Sequence, residues 1–292
     1  MRLCSLVDLC TFVSLRTFVN LRTFVAAIAS LLVAPAAFAS FITFESAGVN
    51  PASIAPTRDN FRVAVGGGAI AGGNGSFGGL RREINWDGVP DARSDPNPLP
   101  ANFFNVNSPR GVVFNTPGTG FIVSANAGSA TPILFGFSND FNTFSPQKLF
   151  TAVNSNITDV RFFVPGTLIV ATTTAFGAVF VDVETAGTSM QFFDENDLLI
   201  FSRDALVAGN KGLSFLGAAA NAGERISRVR LTSGTNTIVS NGVLGNPIDD
   251  IVVMDDFLYA EPLRAVPEPS SLALLALGLL GCLGRYRRRV CR

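Results

Sequence analysis

Between residues 41 and 260, short runs of β-branched and aromatic residues are divided by Gly, Pro, Asn and Asp. Such punctuation reads as many short strands joined by turns. The predicted strands are Phe41–Glu45, Arg82–Trp86, Gly111–Phe114, Gly120–Ser124, Asp159–Val164, Gly177–Val183, Ser189–Asp194, Leu198–Ser202, Leu213–Leu216, Arg225–Leu231 and Ile251–Tyr259. In Arg225–Leu231, Ile226 and the Val229/Leu231 pair fall on opposite parities, which predicts a bulge near Ser227-Arg228. The stretch from Phe192 to Leu199 reads as a hairpin turning on Asp194-Glu195-Asn196-Asp197, residues that tolerate positive φ. One short helix is predicted over 57–65, with Thr57 as N-cap, Asp59 in the first turn and Gly66 as the stop. This pattern, without βαβ alternation, predicts an all-β fold: a two-sheet, jelly-roll-like β-sandwich forming one domain over 40–262.

The two ends follow other rules, and both are predicted to be helical targeting segments. Arg16 and Arg22 precede an apolar stretch from Thr23 to Phe38 that closes on Ala37-Phe38-Ala39-Ser40. A basic entry, an apolar run and an A-x-A exit predict a signal peptide over 1–39, cleaved after Ala39. Its upstream part is of low complexity: Leu15-Arg16-Thr17-Phe18-Val19 is echoed by Leu21-Arg22-Thr23-Phe24-Val25.

At the other end, Pro267-Glu268-Pro269 precedes an apolar run from Leu272 to Gly284 and then the cluster Arg285, Arg287, Arg288 and Arg289. The prolines favour an extended segment that a protease can grip. The apolar run is shorter than the ~20 residues of a comfortable membrane span, which suits transient residence. The arginines hold their side of the run in the cytoplasm. Residues 263–292 thereby resemble the PEP-CTERM sorting domain. The resemblance implies that an integral-membrane exosortase recognises Pro267-Glu268-Pro269, cleaves nearby and passes the protein to the cell surface or beyond. It implies a setting in Gram-negative bacteria that make extracellular polysaccharide, and it says nothing of the domain's activity.

Composition narrows the chemistry. A hydrophobic share of 48% with 15% charged residues fits a packed core. From Ser40 to Val266 there are 14 basic and 20 acidic residues, a net charge of −6, which argues against a nucleic-acid partner. The absence of His from the chain excludes His-dependent general base catalysis, Ser-His-Asp triads and ordinary zinc or copper sites. The four cysteines, Cys4, Cys10, Cys282 and Cys291, are terminal, so the domain has no disulfide framework and no thiolate chemistry.

Three features of the middle could carry chemistry. The glycine runs Gly66-Gly67-Gly68 and Gly72–Gly79 are followed by no Gly-Lys-Ser/Thr and read as a flexible loop rather than a phosphate cradle. Trp86, with Arg81, Glu83, Asn85 and Asp87, offers an aromatic platform beside carboxylate and amide groups, the set a sugar ring requires. Asp255 and Asp256 lie on a predicted strand whose alternation points one carboxylate inward and one outward. A buried carboxylate needs an arginine or a hard cation, so calcium is the candidate metal there. The body from Phe41 to Tyr259 also resembles that of other PEP-CTERM-bearing proteins of unassigned activity, through Arg58–Arg62, Gly78–Gly88, Phe103–Gly111 and Val252–Phe257. Together these features predict an exported, non-catalytic surface or matrix protein associated with exopolysaccharide or the cell envelope. The alternatives are a carbohydrate-binding module that uses the Trp86 loop and, behind it, a glycoside hydrolase working with carboxylates alone.

Overall fold

The computed structural model describes residues 39–67, 70–125, 135, 140–239, 249–264 and 278. The expected signal peptide, Ala39 apart, and the sorting segment from 265 onward, Gly278 apart, lie outside the described residues.

With strands numbered in chain order, the first sheet runs β1 (Phe41–Gly48), β12 (Leu213–Ala220), β9 (Ala175–Val181), β14 (Val253–Ala260), β3 (Arg81–Ile84) and β2 (Ser76–Phe77). β6 (Phe150–Val153) joins it where Phe150 faces Met254 and carries β5 (Gly120–Val123) alongside. The second sheet runs β11 (Leu199–Asp204), β10 (Ser189–Phe193), β13 (Arg228–Thr232), β7 (Ile157–Phe162) and β4 (Val112–Asn115). A ribbon of β8 (Ala171–Thr172) and β15 (Leu263–Arg264) completes the strands among the described residues. All these pairings are antiparallel. The chain is an all-β sandwich, as its turn-divided pattern predicts.

The main core lies between the sheets, where Phe176, Phe180, Phe257 and Tyr259 of the first meet Val160, Phe162, Phe192 and Leu231 of the second. The first sheet is also covered on its outer face. Helix α1 (Pro51–Gly66) sets Ile54 and Phe61 against Val179, Val181, Phe215 and Leu258. Burial on both faces explains why β9 reads Ala-Phe-Gly-Ala-Val-Phe-Val and is buried throughout. Gly177 and Gly217 face each other across β9 and β12, and a Cβ on either would come within 3.2 Å of the Phe61 ring. The missing side chains make room for the helix.

One local expectation needs correction. The helix starts at Pro51 rather than near 57: the Asn50 side chain accepts from Ser53 N, and Pro51 supplies the preset φ of the first turn. Pro56 therefore sits inside the helix. The carbonyl it leaves without an amide partner belongs to Ala52, an exposed residue whose carbonyl water can serve. The expected bulge at Ser227-Arg228 does form: Arg228 pairs with Phe193, and Ser227 N also donates to Phe193 O at 2.9 Å, so two residues oppose one. β13 keeps unbroken register from Arg228 onward, and the bulge carries the change of parity that lets Ile226, Val229 and Leu231 all be buried. The hairpin at 194–197 does form, closed by Asp194 N to Leu198 O at 3.0 Å, with Asp197 at φ 62.

Candidate functional site

The first sheet forks at β14. Near Met254 its free edge pairs with β6, and from Phe257 onward with β3. On the opposite edge, Met254 faces Phe180 and Phe257 faces Ala178, so β14 has one more residue than β9 in this interval. The extra residue is a β-bulge at Asp255-Asp256. It reverses the inward parity from Met254 to Phe257 and Tyr259. Simple alternation, which predicts one carboxylate inside and one outside, therefore fails: Asp255 is fully buried and Asp256 only 7% exposed.

Asp255 clamps the fork. Its carboxylate accepts from Phe144 N (2.7 Å), Ser145 N (3.1 Å), Ser145 Oγ (2.7 Å) and Asp256 N (2.8 Å). Protein donors occupy the positions that a cation would need. Among the described residues no three carboxylates or other metal-ligating side chains converge. Burial pushes Asp255 well above the usual carboxylate range, and the Asp256 charge adds to the rise. Burial also raises Asp256, against the pull of the Asp255 hydrogen bond and the Arg58 charge.

Trp86 fills the crotch of the same fork. Its ring is fully buried, lies parallel to Phe150 at 4.0 Å, and meets Phe104 and Phe257 edge-on. Its indole N–H donates to the Asp255 carbonyl at 2.8 Å. No ring face is left for a sugar, so Trp86 offers no binding platform. The residues expected around it disperse. Asn85 is exposed, and its side chain caps the turn through Asp87 N at 2.9 Å. Asp87 accepts from Gln147 N (2.9 Å) and Lys148 N (2.8 Å), anchoring the loop that leads into β6. Arg81 is buried against Phe77 and bonds Glu83 at 3.0 Å.

Glu83 is the member of that set that leads to a site. On β3, Arg81 and Glu83 are two residues apart and so share a face. Arg62 of α1 meets Glu83 with two parallel bonds, Nε to Oε1 at 2.8 Å and Nη2 to Oε2 at 2.9 Å, while its Nη1 reaches Asp59 at 2.9 Å. Burial works against the Arg62 charge, but the Glu83 and Asp59 carboxylates hold its pKa above the ordinary arginine value. Beside this pair opens a cavity of about 390 Å³, into which Arg58, Arg62, Glu83, Asn85, Arg110 and Asp256 project. Glycines of the 72–75 turn form part of its wall. Gly75 has φ +63, and a Cβ there would lie 1.9 Å from the Glu83 carbonyl and 2.6 Å from Arg110 Nε, so that turn needs glycine. Two buried polar atoms at the cavity have no hydrogen-bond partner among the described residues, Asp256 Oδ1 and Arg110 Nε.

The stretches 58–62, 78–88, 103–111 and 252–257 each contribute to this cavity, through Arg58 and Arg62, Glu83 and Asn85, Arg110, and Asp256. Arg58, Arg62 and Arg110 were not predicted as site residues. The first two, four apart on one helix, share a face and were readable from spacing; nothing in the sequence points to Arg110. Arg110 stacks on Phe104 and donates from Nη1 to Ser108 Oγ at 2.6 Å, and burial lowers its pKa.

The architecture thus defines an all-β sandwich with a charged cavity beside its one long described helix. Residues 265–289 match the family described as the PEP-CTERM protein-sorting motif. That motif marks an exported, envelope-associated protein sorted by way of an exosortase. No curated protein matches the sequence. A solved structure, the Podospora anserina GH26-CBM35 beta-(1,4)-mannanase, aligns at TM-score 0.24 and 12% identity, over 55% of this chain and 29% of that one. Among the described residues no helix is long and apolar enough to cross a membrane; the apolar run from 272 to 284, Gly278 apart, lies outside the described residues.

Proposed function

We propose that this chain is a non-catalytic surface or extracellular-matrix protein. Residues 1–39 direct it into the secretion machinery. Its C-terminal segment rests briefly in the membrane until an exosortase acts at Pro267-Glu268-Pro269, leaving the β-sandwich in the envelope or among exopolysaccharide. The match of residues 265–289 to the sorting motif carries this reading. The short apolar run and the arginines beyond it support the transient stay, because they suffice to engage a bilayer but not to span it comfortably. The lack of His, together with Asp255 engaged in holding the fork, supports a role other than catalysis.

The test is replacement of Pro267, Glu268 and Pro269 by alanine, with mass spectrometry of the mature C-terminus. The expected variant stays in the membrane fraction with its arginine tail intact, whereas the wild-type protein loses that tail. A secreted wild-type form that retains residues 270–292, or a variant that traffics normally, would refute the reading.

A further inference from the structure

The cavity between α1, the 70–75 segment and the bulge of β14 combines features that ordinary core packing does not explain. Three arginines and two carboxylates line it, and Asp59, bonded to Arg58 and Arg62, brings the acids of the cluster to three. Arg62 and Glu83 satisfy each other through two parallel bonds. The remaining groups do not close on one another. Arg58 donates from Nε to Asp59 at 2.8 Å, and its guanidinium lies 4.8 Å from the Phe144 ring centre, with no further hydrogen bond among the described residues. Arg110 uses Nη1 on Ser108, while its Nε has no partner. Asp256 is 7% exposed, faces the cavity and keeps Oδ1 unpartnered. Native proteins rarely leave such atoms unsatisfied, and each calls for a missing group.

Guanidinium donors require an acceptor, best supplied by a carboxylate, which matches their fork geometry. A carboxylate oxygen such as Asp256 Oδ1 requires a donor, which a fully deprotonated anion lacks and a hydroxyl supplies. The volume of about 390 Å³ falls in the range of ~300–1,000 Å³ usual for small-ligand sites. We propose that this cavity binds a small hydroxylated carboxylate, its acid group held by Arg58 and Arg110 and a hydroxyl directed to Asp256. The inference is independent of the sorting role, which survives if the binding test fails.

Calorimetric titration of the purified full-length protein with D-glucuronate, lactate, D-glucose, acetate and glycine tests it. D-glucuronate, lactate or both should bind, with glucose and acetate weaker by at least about tenfold, the scale of one lost charge-assisted contact. Arg110→Gln and Asp256→Asn should each weaken binding about tenfold. Ala52 is an exposed helix residue on the cavity wall, so Ala52→Trp narrows the space without altering a charge and keeps the test alive if a charge variant misfolds. Preference for glucuronate identifies a sugar acid, and equal binding of lactate identifies a free hydroxy acid; both support the site. Binding of acetate or glucose as tight as glucuronate overturns the proposal. So does preference for glycine, unaltered affinity in Ala52→Trp, or no binding of any probe at millimolar concentration.

Discussion

Asp182 follows the last residue of β9 in a left-handed conformation, φ 73, and is 8% exposed. Its carboxylate accepts from Lys211 N at 2.6 Å, and its own N–H donates to Gly212 O at 2.8 Å. Burial pushes the carboxyl up from 3.8 to about 6; the Lys211 hydrogen bond opposes the rise, while the charges of Glu184, Asp250 and Asp140 add to it. The folded protein therefore holds a proton that the unfolded chain releases at lower pH. Stability from this group is present below the unfolded value and is lost as pH rises through the folded one. At about 1.4 kcal/mol per tenfold change in proton affinity, the ionised carboxylate costs about 3 kcal/mol above that window. Asp182→Asn retains an acceptor for Lys211 N, tolerates the left-handed backbone and removes the charge. Urea unfolding followed by the fluorescence of Trp86, the single tryptophan, should find the variant more stable by about 3 kcal/mol near pH 8 and equal to wild type near pH 4. A gap that does not change with pH, or a variant weaker throughout, would show that the ionised carboxylate is the favoured partner of Lys211 and would refute the reasoning.

Other perturbations test the fork and the charged pair. Glu83→Gln removes the bidentate partner of a buried Arg62, and breaking such a pair should cost about 3–5 kcal/mol in urea unfolding; a cost within experimental error would mean that Asp59 alone suffices for Arg62. Trp86→Phe preserves an aromatic ring against Phe150 but leaves the Asp255 carbonyl without its donor, for a loss of about 1–3 kcal/mol beyond the smaller ring's packing. Circular dichroism serves as the probe for that variant, and a melt unchanged from wild type would contradict the assignment of Trp86 to the fork.

Local chemistry explains why parts of this protein were readable residue by residue. Asp194-Glu195-Asn196-Asp197 makes its hairpin from its own turn preferences, and the Asp197 carboxylate then reaches Arg228 at 2.6 Å. The proline-flanked glutamate, short apolar run and arginine tail form an address within one stretch of chain, and residues 265–289 match the sorting motif accordingly. The start of α1 was misplaced by the pull of Thr57, although Asn50-Pro51 carried an equally local signal.

The β-sandwich, too, follows from the sequence itself, because strand length, alternation and turn residues are properties of neighbours along the chain. Where Asp255 and Asp256 point, and whether Trp86 has an open face, could not follow in that way. A bulge on β14 exists only relative to the strands beside it, and the fork that buries Trp86 arises from two partners, β3 and β6, sharing one edge. The cavity likewise depends on α1 lying across the sheet, which brings Arg62 to Glu83 across 21 residues beside Arg110 and Asp256, all four lining one cavity. Side-chain chemistry is written in the chain, but which donor is left without an acceptor is decided by the packing of distant segments.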